Sequence, residues 1–145
     1  MKIQLRNVAI LGLFFVLAIA SAQAQTSRRE VNIPFDFSAG SAKLKAGVYT
    51  VKRMSGNALA IRSAAGKTTA LVNAPLTLGS RDSKAGQRLV FNKYGDRYFL
   101  SQIWLRVDTG RQLFPTAEET RTARDYRLAD GTAKPERREV ALRTR

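Results

Sequence analysis

From Val31 onward the chain is written in short runs whose large apolar residues recur at every second position. Val31, Ile33, Phe35 and Phe37 alternate with Asn32, Pro34 and Asp36, the period of a half-buried strand. Pro34 has no amide donor, which places this first strand at a sheet edge or at a bulge. Ser38-Ala39-Gly40 and Lys45-Ala46-Gly47 are turn-like, and Val48 to Met54 reads as the second strand. Ser55-Gly56-Asn57 leads into a third, Ala58 to Ser63, and Ala65-Gly66-Lys67 into a fourth, Thr68 to Val72. Strands this closely spaced predict an antiparallel meander.

Two further runs, joined by Gly95-Asp96, make Leu89 to Val107 a β-hairpin, because a two-residue Gly-Asp connection suits the turns whose twist matches paired strands. Strict alternation puts Tyr98, Leu100 and Trp104 on one face of its second arm, and Phe99, Ile103, Leu105 and Val107 on the other. A strand apolar on both faces belongs in mid-sheet, covered twice. Trp104, with Phe91, Tyr94, Tyr98 and Phe99, is expected to form the core. The segment between the meander and the hairpin, Thr77 to Gln87, is the longest polar, turn-rich stretch before the hairpin, a surface loop or the rim of a binding site.

Six short strands with no helix between them predict an all-β fold, a small antiparallel barrel or a two-layer sandwich, over residues 25–114. After Arg111 to Pro115 the period changes. Thr116-Ala117-Glu118-Glu119 carries the capping-box spacing, Arg121 and Asp125 stand four apart, and Gly131 is a stop, so a short C-terminal helix is expected within residues 115–131. Its apolar face is thin, chiefly Ala123, Tyr126 and Leu128. Residues 132–145 are charged, with Val140 and Leu142 the only large apolar side chains, and are expected to be disordered or at most a loose strand.

The first 24 residues are of another kind. Lys2 and Arg6 precede an apolar run, Val8 to Ala20, and Ser21-Ala22-Gln23-Ala24 supplies small residues for cleavage, the pattern of a secretory signal peptide. The run is shorter than the roughly 20 apolar residues of a membrane span, which predicts a periplasmic or extracellular protein with no anchor left after cleavage. The chain has neither Cys nor His. That removes disulfides, thiol nucleophiles, imidazole bases and His- or Cys-ligated metals as expectations. Net charge is +14, and from residue 25 to 110 there are 14 Lys or Arg against five acids, so the excess belongs to the strand-rich body. A field of that sign favours anionic partners such as lipid headgroups, acidic polysaccharide or lipopolysaccharide phosphates.

At VNIPFDFSAG, KAGVYTV and KYGDRYFLSQIW the chain resembles a set of small exported bacterial proteins of the acidobacterial kind, which carry a Val-x-Ile/Val-Pro-Phe-Asp-Phe opening and a Tyr-Gly-Asp-Arg-Tyr-Phe-Leu-Ser hairpin. The resemblance spans Val31 to about Glu119. It implies export and a single β domain, and it brings no activity, cofactor or catalytic residue. Lys45 stands where those proteins are expected to carry Pro.

Candidate chemistry is sparse. Asp36, Asp96 and Asp108 lie in turn-like contexts, where Asp commonly binds its own backbone. A carboxylate-only hydrolase of envelope or extracellular glycans can be drawn from Asp36 with Asp96, though nothing in the sequence brings the two together. Ser41 with Lys43 or Lys45 offers a Ser-Lys pair, and Ala64-Ala65-Gly66-Lys67-Thr68 ends like a phosphate loop without its leading glycine. The fuller constellation interleaves cations and aromatics: Arg88, Lys93, Tyr94, Arg97, Tyr98, Trp104 and Arg106 on the hairpin, with Lys52 and Arg53 on the meander. The expectation is a non-enzymatic exported domain, without cofactor. Through that surface it would bind an anionic polymer, lipid headgroups or an envelope protein, nucleic acid being disfavoured by export. Mass spectrometry of the exported protein should find Gln25 as its first residue; an N-terminus at Met1 would refute the signal-peptide assignment.

Overall fold

The computed structural model describes residues 29–64, 66, 69–131 and 134–144. The expected signal peptide lies outside these residues. The body is a two-layer β-sandwich, and its sheets do not close into a barrel. One sheet holds β1 (Arg29–Ile33), β4 (Gly47–Arg53), β5 (Ala58–Ser63), β6 (Thr69–Asn73) and β12 (Arg143–Thr144), in the order β12-β1-β4-β5-β6. The other runs β11-β8-β9-β10-β7, from β7 (Leu76–Gly79), β8 (Arg88–Tyr94), β9 (Arg97–Trp104), β10 (Thr109–Gln112) and β11 (Glu136–Ala141). A small hairpin, β2 (Phe37–Ala39) with β3 (Ala42–Leu44), joins this second sheet where β2 runs parallel to the start of β9.

The expected meander is present as β4, β5 and β6, paired in sequence with antiparallel registers. The expected first strand divides. β1 stops at Ile33, Pro34 follows, and Phe37 opens β2 in the opposite sheet. β1 is not an edge strand along its whole length, since β12 pairs with Arg29 and Glu30; the proline ends the strand and does not interrupt its ladder. Asp36 clamps the corner: its carboxylate accepts from Lys45 Nζ at 2.7 Å and from the Ala46 amide at 2.8 Å. These contacts hold its pKa below the ordinary carboxylate range. Lys45, in the position expected to carry proline, is thus a partner in that clamp.

The central hairpin turns where expected, with Gly95 at φ 63, the positive value required at the first position of a type II′ turn. Its faces differ from strict alternation. Val90 pairs with Gln102 but Phe91 pairs with Leu100, leaving Ser101 as an extra residue on β9. Such a bulge resets the phase of the strand. Leu100 and Ile103 therefore both belong to the inter-sheet core, with Tyr98 and Leu105 packed against it. Phe99 and Trp104 are buried outside that cluster. The core proper is Val31, Ile33, Tyr49, Val51, Leu59, Ile61 and Val72 facing Phe37, Leu44, Leu89, Phe91, Leu100, Ile103 and Leu113. Phe37 packs edge-on against Tyr49 and Phe91, at centroid distances of 5.4 and 5.3 Å.

On its own face Trp104 is held by three neighbours. The guanidinium of Arg88, its cross-strand partner, lies 4.5 Å above the ring. Its indole N–H donates to Gln102 Oε1 at 3.0 Å. Gly110 passes so close that a Cβ built there would stand 2.5 Å from Trp104 Cδ2.

The polar stretch Thr77 to Gln87 is less of a loop than expected. Its first residues fall in edge strand β7, paired with β10, and Asp82 caps a 3-10 turn over Ser83–Ala85. Of the two expectations for the charged tail, disorder or a strand, the described residues take the strand. β11 pairs with β8 over six residues and β12 with β1, Leu142 being buried where the chain crosses between sheets. Backbone pairing, which composition does not reveal, orders this segment, assisted by Lys93–Glu136 at 2.8 Å.

Helix α1 (Ala117–Asp130) begins at Thr116, whose hydroxyl accepts from the Glu119 amide, and ends at Gly131 in the left-handed conformation. It lies against the outer side of the β8–β9 hairpin through a few contacts. Tyr126 meets Tyr94 edge-on at 5.9 Å, and Arg97 donates to Thr122 Oγ1 at 2.6 Å and pairs with Glu118. Glu119 is buried and accepts from Asn92 Nδ2 at 2.9 Å; Leu128, expected on the apolar face, is exposed.

Replacing Gly110 by Ala should destabilise the protein by about 1–3 kcal/mol through overpacking against the indole; unchanged urea unfolding would rule out that close approach. Burial raises the Glu119 pKa above its ordinary value, so the charged form is disfavoured in the folded state. Stability tied to this group is complete below the unfolded pKa and declines as pH rises through the folded one. Glu119→Gln keeps the carbonyl facing Asn92 and should raise the melting temperature at pH 7, with the gain disappearing on acidification. A gain that is equal at every pH contradicts the assignment.

Candidate anion-binding site

The hairpin cations singled out from sequence are largely engaged within the fold. Arg88 is nearly buried. Besides covering Trp104, it donates from Nη1 to Gly86 O at 3.1 Å. Its Nε stands 3.3 Å from Glu139 Oε2, close enough for charge attraction but without an aligned hydrogen bond. Lys93 is paired with Glu136, which raises the Lys93 pKa and lowers that of Glu136. Arg97 sits 5.3 Å over the Phe99 ring and shares Glu118 with Lys43. Tyr94 lies between Phe99 and Tyr126, its hydroxyl pKa raised by burial. Tyr98 stacks on Phe35 at 3.9 Å on the core side. The six candidates thus do not form one surface. Arg97 and Tyr94 support the helix, Lys93 the tail strand, Arg88 the indole and Tyr98 the core, while Arg106 is the one of the six that lines the cavity between the parted ends of the two sheets.

That cavity, about 160 Å³, opens at one end of the sandwich and is lined by residues of both sheets. Arg29, Arg53 and Leu59, with Gly56 and Asn57 of the β4–β5 turn, come from the first sheet; Ile103, Leu105, Arg106, Thr109 and Arg111 come from the second or its β9–β10 connection. The register explains the convergence. Arg29 opposes buried Val51 and continues the Val31, Ile33 row of β1; Arg53 opposes Leu59 and continues the Tyr49, Val51 row of β4. Arg111 opposes core residue Ile103. Three arginines therefore occupy core-facing positions near the ends of three strands, where the layers part and a long side chain can keep its charged head in water.

The turn holds two of them. Arg53 Nη2 donates to Gly56 O at 3.4 Å, and Arg111 Nη1 donates across the sheets to Asn57 Oδ1 at 3.1 Å. Arg106 grips Asp108 with Nε at 3.1 Å and Nη2 at 3.3 Å, which lowers the Asp108 pKa and raises that of Arg106. Arg29 Nε is buried with no hydrogen-bond partner among the described residues, an unusual expense for so polar an atom. Among the described residues no carboxylate lines the cavity. Four guanidiniums above an apolar floor of Leu59, Ile103 and Leu105 make a site with surplus donors and focused positive potential.

Two acids the sequence could not connect do share a wall. Asp36 and Asp96 line a shallow cavity with Lys43, Lys45, Arg97 and Tyr98. Asp36 is fixed as a carboxylate by Lys45 and Ala46, with its pKa lowered, whereas a glycosidase acid must hold its proton near neutrality. Ser41 does not line this cavity. Among the described residues no cluster of three Asp or Glu has metal-ligating geometry, and no helix is long and apolar enough to cross a membrane.

The chain matches no family model, no curated protein and no solved structure. Of the cavity arginines, Arg53 and Arg106 stood in the sequence-derived constellation; Arg29 and Arg111 did not. The available signal was phase, since Arg29 and Arg53 carry a cation at the position where the apolar alternation of their strand demands the next core residue.

If Arg111 ties the two layers across the cavity mouth, Asn57→Ala should lower the melting temperature by a few degrees, the effect of about 1 kcal/mol of lost hydrogen bonding in a domain of this size. An unaltered melt would show the cross-sheet bond to be incidental.

Proposed function

We propose that this protein is an exported, non-enzymatic β-sandwich that captures an anionic ligand of the envelope or extracellular space in its arginine-lined cavity. The observation that carries the proposal is the convergence of Arg29, Arg53, Arg106 and Arg111 on one opening, with no acidic residue in its lining among the described residues. Arginine forks bind oxyanions in bidentate fashion and hold their charge at every physiological pH. Export is supported by the signal-peptide pattern of residues 1–24 and by the resemblance to small exported proteins. Binding is favoured over catalysis because the chain has no His or Cys, and because the carboxylate pair needed for the hydrolytic alternative includes Asp36, already committed to Lys45 and Ala46. The cavity is smaller than the several hundred cubic ångströms of a typical small-molecule pocket, so it suits the charged head of a ligand whose remainder lies outside.

Titration calorimetry of the mature chain with pyrophosphate and with a heparin oligosaccharide tests the proposal. The double variant Arg53→Gln/Arg111→Gln should weaken binding at least about tenfold, two charge-assisted contacts being lost. Lys84→Gln/Arg124→Gln, which removes the same charge elsewhere, should leave it within about twofold. Absence of binding, or equal weakening in both double variants, overturns the assignment to the cavity.

A further inference from the structure

Resting on that anion-binding proposal, the geometry points to a phosphate monoester as the group the cavity is built to hold, with the phosphoryl oxygens among the guanidiniums and the esterified body over Leu59 and Leu105. The directions of approach carry the inference. A carboxylate presents its lone pairs in one plane and is satisfied by one fork, as Asp108 is by Arg106. Here Arg29 and Arg53 come from one layer, Arg111 from the facing layer and Arg106 from the connection at the rim. Donors arriving from three sides match a tetrahedral group with three equivalent acceptor oxygens.

The tethers leave those donors available. Arg53 and Arg111 each commit one N–H to the β4–β5 turn, which fixes the side chain and leaves the rest of a five-donor guanidinium unspent. Arg29 commits none from its buried Nε among the described residues. Thr109 adds a hydroxyl to the lining. Beneath the charges the floor is aliphatic, which suits the uncharged side of an ester and gives no partner to free inorganic ions. The volume, about 160 Å³, exceeds several times the roughly 30 Å³ of a water molecule, room for a phosphoryl group and its first bonded atoms.

The chain's own chemistry supplies the means of testing this. A phosphate monoester passes from monoanion to dianion near pH 6, while a sulfate ester stays a monoanion throughout. The chain has no His, no acid among the described residues lines the cavity, and Asp108, paired with Arg106, has its pKa lowered by that contact.

Calorimetric titration between pH 5 and 7.5 with glucose 1-phosphate, glucose 6-sulfate and vesicles containing phosphatidic acid is therefore decisive. Affinity for glucose 1-phosphate should rise several-fold across that range and that for the sulfate should not, with Arg29→Gln and Arg111→Gln, checked for native melting, each flattening the rise. Binding confined to the vesicles with the same rise supports the inference and assigns the monoester to a lipid headgroup; binding of the soluble ester assigns it to a saccharide or other small molecule. Equal and pH-independent binding of phosphate and sulfate esters overturns the monoester assignment and leaves anion capture standing. Failure of all three together with pyrophosphate overturns both.

Discussion

The extra residue at Ser101 decides which side chains of this protein meet the core. β9 is apolar on both faces, so alternation alone supplies two competing sets of residues to bury. The bulge opposite Val90 and Phe91 joins half of one set to half of the other. Tyr98, Leu100, Ile103 and Leu105 then face the opposing sheet, and Phe99 and Trp104 are left for the outer side. Because β9 lies at the centre of its sheet, this phase is passed to its neighbours. Leu89 follows Ile103 inward, Arg88 follows Trp104 outward, and Arg111 takes the inward position opposite Ile103.

That same phase organises the charged residues. Outside the core face, cations serve as structural covers: Arg88 shields the indole, Arg97 shields Phe99 and fastens the helix through Glu118 and Thr122, and Lys93 fastens the last strands. Surface ion pairs of this kind contribute little one by one; here they matter for which groups they neutralise. The paired cations lie on the hairpin's outer and tail-strand flanks, while the arginines at the parted end of the sandwich face one another across an apolar floor. Repulsion among them is tolerable because that end is open to water and counterions.

The strand-rich body, the meander, the turn at Gly95-Asp96 and the capped helix were legible in the sequence because each rests on a local signal: period two, a turn pair, a hydroxyl cap. What was not legible rests on pairing between distant segments. Nothing near Ser101 announces a bulge, so Trp104 and Ile103 were each assigned the wrong companions. The stretch Glu136–Ala141 reads as too charged to order itself, yet the exposed backbone of β8 recruits it, and its Glu136 finds Lys93 far back in the chain. Individual cations were visible, but their grouping was not, because whether Arg97 or Arg53 is spent internally depends on where Glu118 and Asn57 arrive in space. Phase was the one clue to Arg29 and Arg53 that the sequence did contain.

The arrangement of β11 and β12 bears on how the molecule comes to be made. Arg29 joins Thr144 at the border of one sheet, and Arg88 joins Ala141 in the other, so both layers wait for the same final stretch of polypeptide. Contacts between such remote segments slow folding, since the chain entropy is surrendered before the reward arrives. Without that stretch, β1 and β8 would each present an uncovered strand border, the kind of edge that invites pairing with another chain.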